Sequence, residues 1–144
     1  MVAAAVEALG GLDVLVNNAG ISGPTAPVED VDPDQWEAVM TVDVMGTFHV
    51  TRLSIPHLKK SGAGSIVVMS SLGGRFGYPN RSAYCTAKMG LIGFAKTLSR
   101  ELGSTIFAST PSRPEPSPET ASNAFFRAAP AQNTKRWRRK APPQ

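Results

Sequence analysis

The sequence predicts an α/β fold in which parallel strands are joined by helical crossovers, followed by a segment with no fold of its own. Three observations carry this expectation. Two short apolar, β-branched runs, Asp13–Asn17 and Ser65–Ser70, read as strands buried on both faces. Stretches of helical spacing flank them, so the order is helix, strand, helix, strand, helix, the pattern of parallel strands with right-handed crossovers. The composition then breaks near Gly103: all 13 glycines lie at or before it, and 7 of the 12 prolines lie after it.

Taken in order, Val2–Leu9 is Ala-rich with apolar residues at helical spacing, and Gly10 and Gly11 stop it. The first strand follows, and then a loop from Ile21 to Asp30 containing Gly23, Pro24 and Pro27. Asp32, Pro33 and Gln35 supply an N-cap, a proline at the first helical position and a capping-box partner for a helix running towards Lys60. Trp36, Val39, Met40, Val44, Phe48, Leu53 and Leu58 cover more than one stripe of it, which implies burial against both a sheet and another helix. Pro56 should kink this helix or end its regular part. After Ser61–Gly64 and the second strand comes a Gly-rich loop, Leu72–Arg81. Ser82 is expected to cap a last helix, Ala83–Leu102, with Leu91, Phe94, Ala95, Leu98 and Leu102 facing inward. Beyond Ser104 the periodicity stops, and Pro111, Pro114, Pro116 and Pro118 oppose helix and central strand alike.

The chain's 144 residues allow one ordinary domain. The formal charge of +4 is misleading as an average, because residues 1–103 carry net −1 and residues 104–144 carry net +5. The basic character belongs to the tail and is no argument for a nucleic-acid partner of the whole chain. A single cysteine, Cys85, excludes an intrachain disulfide and suits a reducing compartment. The N-terminus lacks the basic region of a secretory signal, and no run approaches the ~18 apolar residues of a membrane span. A cytoplasmic location is the expectation.

Chemistry is expected where the strands end, the usual place for a ligand crevice in such sheets. Asn17-Asn18-Ala19-Gly20 follows the first strand, and Ser70-Ser71 closes the second. Tyr84 and Lys88 open the last helix four residues apart, on one face. A phenol with a reference pKa of ~10 is a poor proton donor or acceptor at neutral pH unless a cation stabilises its phenolate, and Lys88 is spaced to do so. A serine hydroxyl reaching the same point could hold a substrate oxygen during proton transfer. His49 and His57, eight residues apart with no ligand-spaced partners, read as ordinary helix-face residues, Cys85 as packing and Trp36 as core.

The combination LDVLVNNAG, SIVVMSS and Y-x-x-x-K, with Tyr84 thirteen residues after Ser71, resembles the short-chain dehydrogenase/reductase family over about Leu9–Gly103. The resemblance implies a fragment of a doubly wound, Rossmann-like parallel sheet with two strands and three helices (residues 1–103), followed by a disordered Pro/Arg-rich tail (104–144). It implies NAD- or NADP-dependent hydride transfer on a small-molecule alcohol/carbonyl pair. Ser71 would orient the substrate oxygen and Tyr84 would act as general acid/base. Lys88 would stabilise the phenolate and bind the nicotinamide ribose, with Asn18, Ala19 and Gly20 lining the cofactor side. Family oligomers pair through two long helices, so a homo-oligomer is implied, and a non-catalytic interaction module with a basic tail is the alternative.

The sequence departs from the family pattern in three places. Asp43, in TVDVMGTFHVTR, stands where the family usually has asparagine, and a carboxylate there either alters proton delivery through Lys88 or forms a salt bridge with it. No Gly-rich phosphate turn follows a strand in these residues, so the first three family strands are expected to lie outside them and both edges of the two-stranded sheet to be unpaired. After Gly103, where the family has a sixth strand resembling I-R-V-N-x-I and a Pro-Gly, this chain reads STIFASTPSRPEPS. Back-translated one base out of frame with permitted codons, that stretch decodes as EHDIRVNAIPPGAV, which points to a frameshift. The run Lys135–Lys140, with Trp137 among its basic residues, is then a by-product of translation and not a nucleic-acid patch.

Overall fold

A computed structural model describes residues 1–103 and 106–109 of the chain. Helix α1 (Val2–Leu9) ends at Gly10, and strand β1 (Val14–Asn17) follows. A 3₁₀ turn (Val28–Asp30) leads into α2 (Pro33–Val39), a π-helical segment (Met40–Met45) and α3 (Gly46–Ser61), which together make one long helical rod. Strand β2 (Gly64–Val68), the short α4 (Gly73–Phe76), α5 (Ser82–Leu102) and strand β3 (Ile106–Ser109) complete the order.

The local chemistry explains most of the boundaries. Gly10 and Gly62 close α1 and α3 at φ 73° and 74°, a left-handed conformation that side chains resist. Pro33 occupies the first turn of α2, where its missing N–H costs nothing, and Asp32 Oδ1 accepts the Asp34 N–H at 3.0 Å. The cap therefore closes on Asp34, one residue before the expected Gln35. Pro56 does not end its helix, which continues to Ser61. The expected loop Leu72–Arg81 contains a helical turn, α4, and α5 begins at Ser82 itself with Arg81 at its N-cap. The Ser82 hydroxyl makes no cap and is buried without a hydrogen-bond partner.

The sheet is parallel in the order β1-β2-β3, with Val14 opposite Ser65 and Asn17 opposite Val68, and with Gly64 opposite Ile106. The doubly wound α/β expectation holds, and the strand count is corrected: a third strand forms within the segment expected to be disordered, so the outer edge of β2 is paired. The remainder of that tail lies outside the described residues.

Helices α3 and α5 cover one sheet face. Leu58, Ile66, Val68, Leu91, Ala95, Leu98 and Leu102 are buried together, with Leu12, Leu15, Ile55 and Phe94 packed against them. At about 1.5–3 kcal/mol per large buried apolar side chain, this layer dominates the packing energy. A second cluster, Val39, Ala83 and Ala87 with Trp36, Met40 and Val44, joins α5 to the π-helical rod. The expectation of two-sided burial is corrected for β1, because Val14 and Val16 point away from this layer and are each 55% exposed. Phe48 and Leu53 are likewise exposed, so the long rod is buried over less of its surface than its apolar residues suggest.

Candidate active site

The two strands deliver their ends to one place. Met69 N–H donates to the Asn17 carbonyl at 2.9 Å, so the chain leaves β1 and β2 side by side, with Asn18–Gly20 on one arm and Ser70–Ser71 on the other. Asn17 is itself anchored to α3, its Nδ2 donating to Thr51 Oγ1 at 2.9 Å. Helix α5 meets the end of β2 through Lys88, whose Nζ lies 3.5 Å from the Met69 carbonyl, and supplies Tyr84 and Lys88 from consecutive turns.

Lys88 is buried, its side chain only 8% exposed, and its ammonium has three neighbours. Asp43 Oδ2 lies at 3.2 Å, the Met69 carbonyl at 3.5 Å, and the Tyr84 ring centroid at 5.6 Å. The lysine therefore does sit beside the tyrosine, and of the two outcomes open for Asp43 the salt bridge is the one formed. Asp43 is fully buried in the π-helical segment, an irregularity common at functional sites. Its Oδ1 accepts the Ile21 N–H at 2.7 Å, while Oδ2 meets the ammonium off the hydrogen-bonding direction.

Ser71 Oγ accepts the Gly73 N–H at 3.1 Å, which starts α4 and leaves the hydroxyl hydrogen to donate elsewhere. No hydrogen bond joins Ser71 to Tyr84. Ser70 instead ties the strand end to the helix, its Oγ donating to the Lys88 carbonyl at 2.7 Å.

Two contributors escaped sequence reasoning. Arg81 holds its guanidinium 5.2 Å from the Tyr84 ring centroid and donates from Nη1 to Thr25 Oγ1 at 2.9 Å, so Tyr84 is flanked by two cations. Its place at the N-cap, three residues before Tyr84, was the available signal. The Asn17–Thr51 bond had none, since 34 residues separate the partners. Cys85 accepts the Tyr78 N–H at 3.2 Å on Sγ, a packing role, and among the described residues no cluster suits a metal ion. No helix among them is long and apolar enough to cross a membrane.

The donor set fits the ribose end of a nicotinamide dinucleotide. An ammonium and a phenol hydroxyl, one turn apart at the strand ends, match a sugar diol in hydrogen-bonding character.

A profile of the family described as short chain dehydrogenase matches residues 1–110. A trans-4-hydroxycyclohexanecarboxylate dehydrogenase of Sinomonas cyclohexanicum is 46% identical over 102 residues, which cover 71% of this chain and 39% of that protein. A 3-oxoacyl-[acyl-carrier-protein] reductase of Thermotoga maritima is 42% identical over 97 residues, covering 67% and 39%. Among solved structures, an NAD+-bound xylitol dehydrogenase superposes with a TM-score of 0.74 at 34% identity, over 81% of this chain and 46% of that one. The chain thus spans about two fifths of the length of the curated relatives it matches. A family profile over most of the chain, and Rossmann-like neighbours that share its parallel strands, identify it as a member of the short-chain dehydrogenase family of oxidoreductases.

Proposed function

We infer that residues 1–103 form the active-site half of an NAD(P)-dependent oxidoreductase that interconverts a small-molecule alcohol and its carbonyl compound. The observation that carries this is the Tyr84–Lys88 pair at the strand ends, with the ammonium 5.6 Å from the tyrosine ring and Ser71 on the adjoining arm. The cofactor, when bound, supplies or accepts the hydride. Tyr84 gives or takes the proton at the substrate oxygen, and Ser71 donates its free hydroxyl hydrogen to that same oxygen. Lys88 stabilises negative charge on the phenol oxygen and, with Tyr84, holds the ribose. Asn18, Ala19 and Gly20 line the cofactor side.

The Gly-rich turn that would hold the pyrophosphate is not in this sequence, so the 144-residue chain alone is proposed to be inactive. A reducing cytoplasmic setting is proposed on the single cysteine. The exposed Met45, Phe48 and Leu53 on the long rod and Met89 on α5 support a homo-oligomer paired through these two helices.

A chimera tests the catalytic reading. Residues 1–103 replace the matching segment of the Thermotoga maritima reductase, and nicotinamide-dependent turnover is measured. Activity that disappears with Tyr84→Phe supports the reading. A soluble, cofactor-binding chimera whose turnover is indifferent to Ser71, Tyr84 and Lys88 rejects it.

A further inference from the structure

The carboxylate that meets Lys88 also holds a second group. Asp43 Oδ1 accepts the Ile21 N–H at 2.7 Å, in the stretch that follows β1, while Oδ2 faces the ammonium at 3.2 Å. Gly20 makes room for this, since a Cβ there would lie 3.0 Å from either carboxylate oxygen. A carboxylate accepts on both oxygens, whereas asparagine presents an acceptor on one side and an NH₂ donor on the other. Asparagine here would keep the Ile21 bond but set a donor against the ammonium. The two residues are therefore equivalent for the loop and opposed for the lysine.

We propose that Asp43 is a positioning residue whose carboxylate docks the Lys88 ammonium against the π-helical segment and so sets that cation's distance from Tyr84 and from a bound ribose. The other groups around the ammonium, the Met69 carbonyl at 3.5 Å and the Tyr84 ring, are uncharged and hold it less strongly. Lys88 must share or leave this carboxylate to serve either partner. The functional weight of the proposal rests on Lys88 being the cation of the proposed oxidoreductase site. Its test reads the ammonium directly, so it can fail while that reading stands.

The full 144-residue chain, labelled with ¹⁵N, is compared as wild type, Asp43→Asn and Asp43→Ala by lysine-ammonium ¹H–¹⁵N correlation and amide hydrogen exchange. A slowly exchanging Lys88 ammonium signal is expected in the wild type and is lost in both variants. Ile21 amide exchange should stay within about threefold of wild type in Asp43→Asn and rise about tenfold or more in Asp43→Ala, in keeping with loss of one buried hydrogen bond. A role confined to pinning the loop would leave the ammonium signal of Asp43→Asn untouched. Independently, Lys88→Met strands a buried carboxylate and should lower the urea midpoint, and adding Asp43→Asn should recover most of that loss. A Lys88 signal that persists in Asp43→Asn, Ile21 exchange that rises equally in both Asp43 variants, or a double variant no more stable than Lys88→Met overturns the proposal.

Discussion

Gly74 lies directly on the backbone of Lys88: a Cβ at Gly74 would sit 2.5 Å from the Lys88 carbonyl carbon and 2.8 Å from its oxygen. Helix α4 is thereby pressed onto α5, and the Ser70 hydroxyl reaches the same Lys88 carbonyl at 2.7 Å. The serine arm and the tyrosine helix are built as one unit by a contact that only a residue without a side chain permits.

Gly74→Ala should therefore push α4 off α5 and destabilise the fold by about 1–3 kcal/mol, the usual cost of overpacking. Chemical denaturation checks this. At Gly90 and Gly93, also in α5, an added Cβ would meet nothing within 4 Å, and Gly→Ala there should stabilise by about 0.4–1 kcal/mol. Equal effects at Gly74 and Gly90 would show that the α4–α5 contact is slack.

Thr51→Val should cost about 1–3 kcal/mol, because it leaves the buried Asn17 amide without its acceptor at nearly constant volume. Adding Asn17→Leu should offset part of that loss. Denaturation midpoints of the two single variants and the double variant measure the coupling, and strictly additive losses would mean the bond is energetically idle.

Purified chain supplied with NAD or NADP and a panel of secondary alcohols should show no turnover above a Tyr84→Phe control, for want of a Gly-rich phosphate turn. Activity that vanishes on Tyr84→Phe would contradict this and place the whole reaction within these residues.

Self-association is expected at β1, which pairs only with β2 among the described residues and exposes Val14 and Val16 on its open face. Sedimentation should find a concentration-dependent mass that falls when Val16→Lys places a charge on that face. A mass that stays monomeric at every concentration would show that the open face of β1 needs no partner.

The nucleotide sequence decides the frameshift. Codons for Gly103–Ser117 read one base out of frame should spell a run close to EHDIRVNAIPPGAV. The third strand does not argue against this, because Ile106 and Phe107 are strand-forming types at the point where the family-like run begins. Codons that spell no such run would mean that the tail is native sequence.

Local chemistry was enough for much of this molecule. Hydrophobic period, Gly10 and Gly62 as helix stops and Pro33 as a helix start all act within a few residues, so the element order and the Tyr84–Lys88 pairing on one face could be read from the chain. What depended on distant neighbours could not. Whether Val14 and Val16 are covered depends on which layers pack against the sheet, and whether Ile106–Ser109 becomes a strand depends on the free edge of β2 that receives it. The same holds at the site: a carboxylate at 43 and an ammonium at 88 are 45 positions apart, and only the packing of the π-helical segment against α5 brings them within 3.2 Å. Sequence spacing reports contacts within one element, whereas the charge Lys88 meets is set by two elements meeting at a buried point where water screens little.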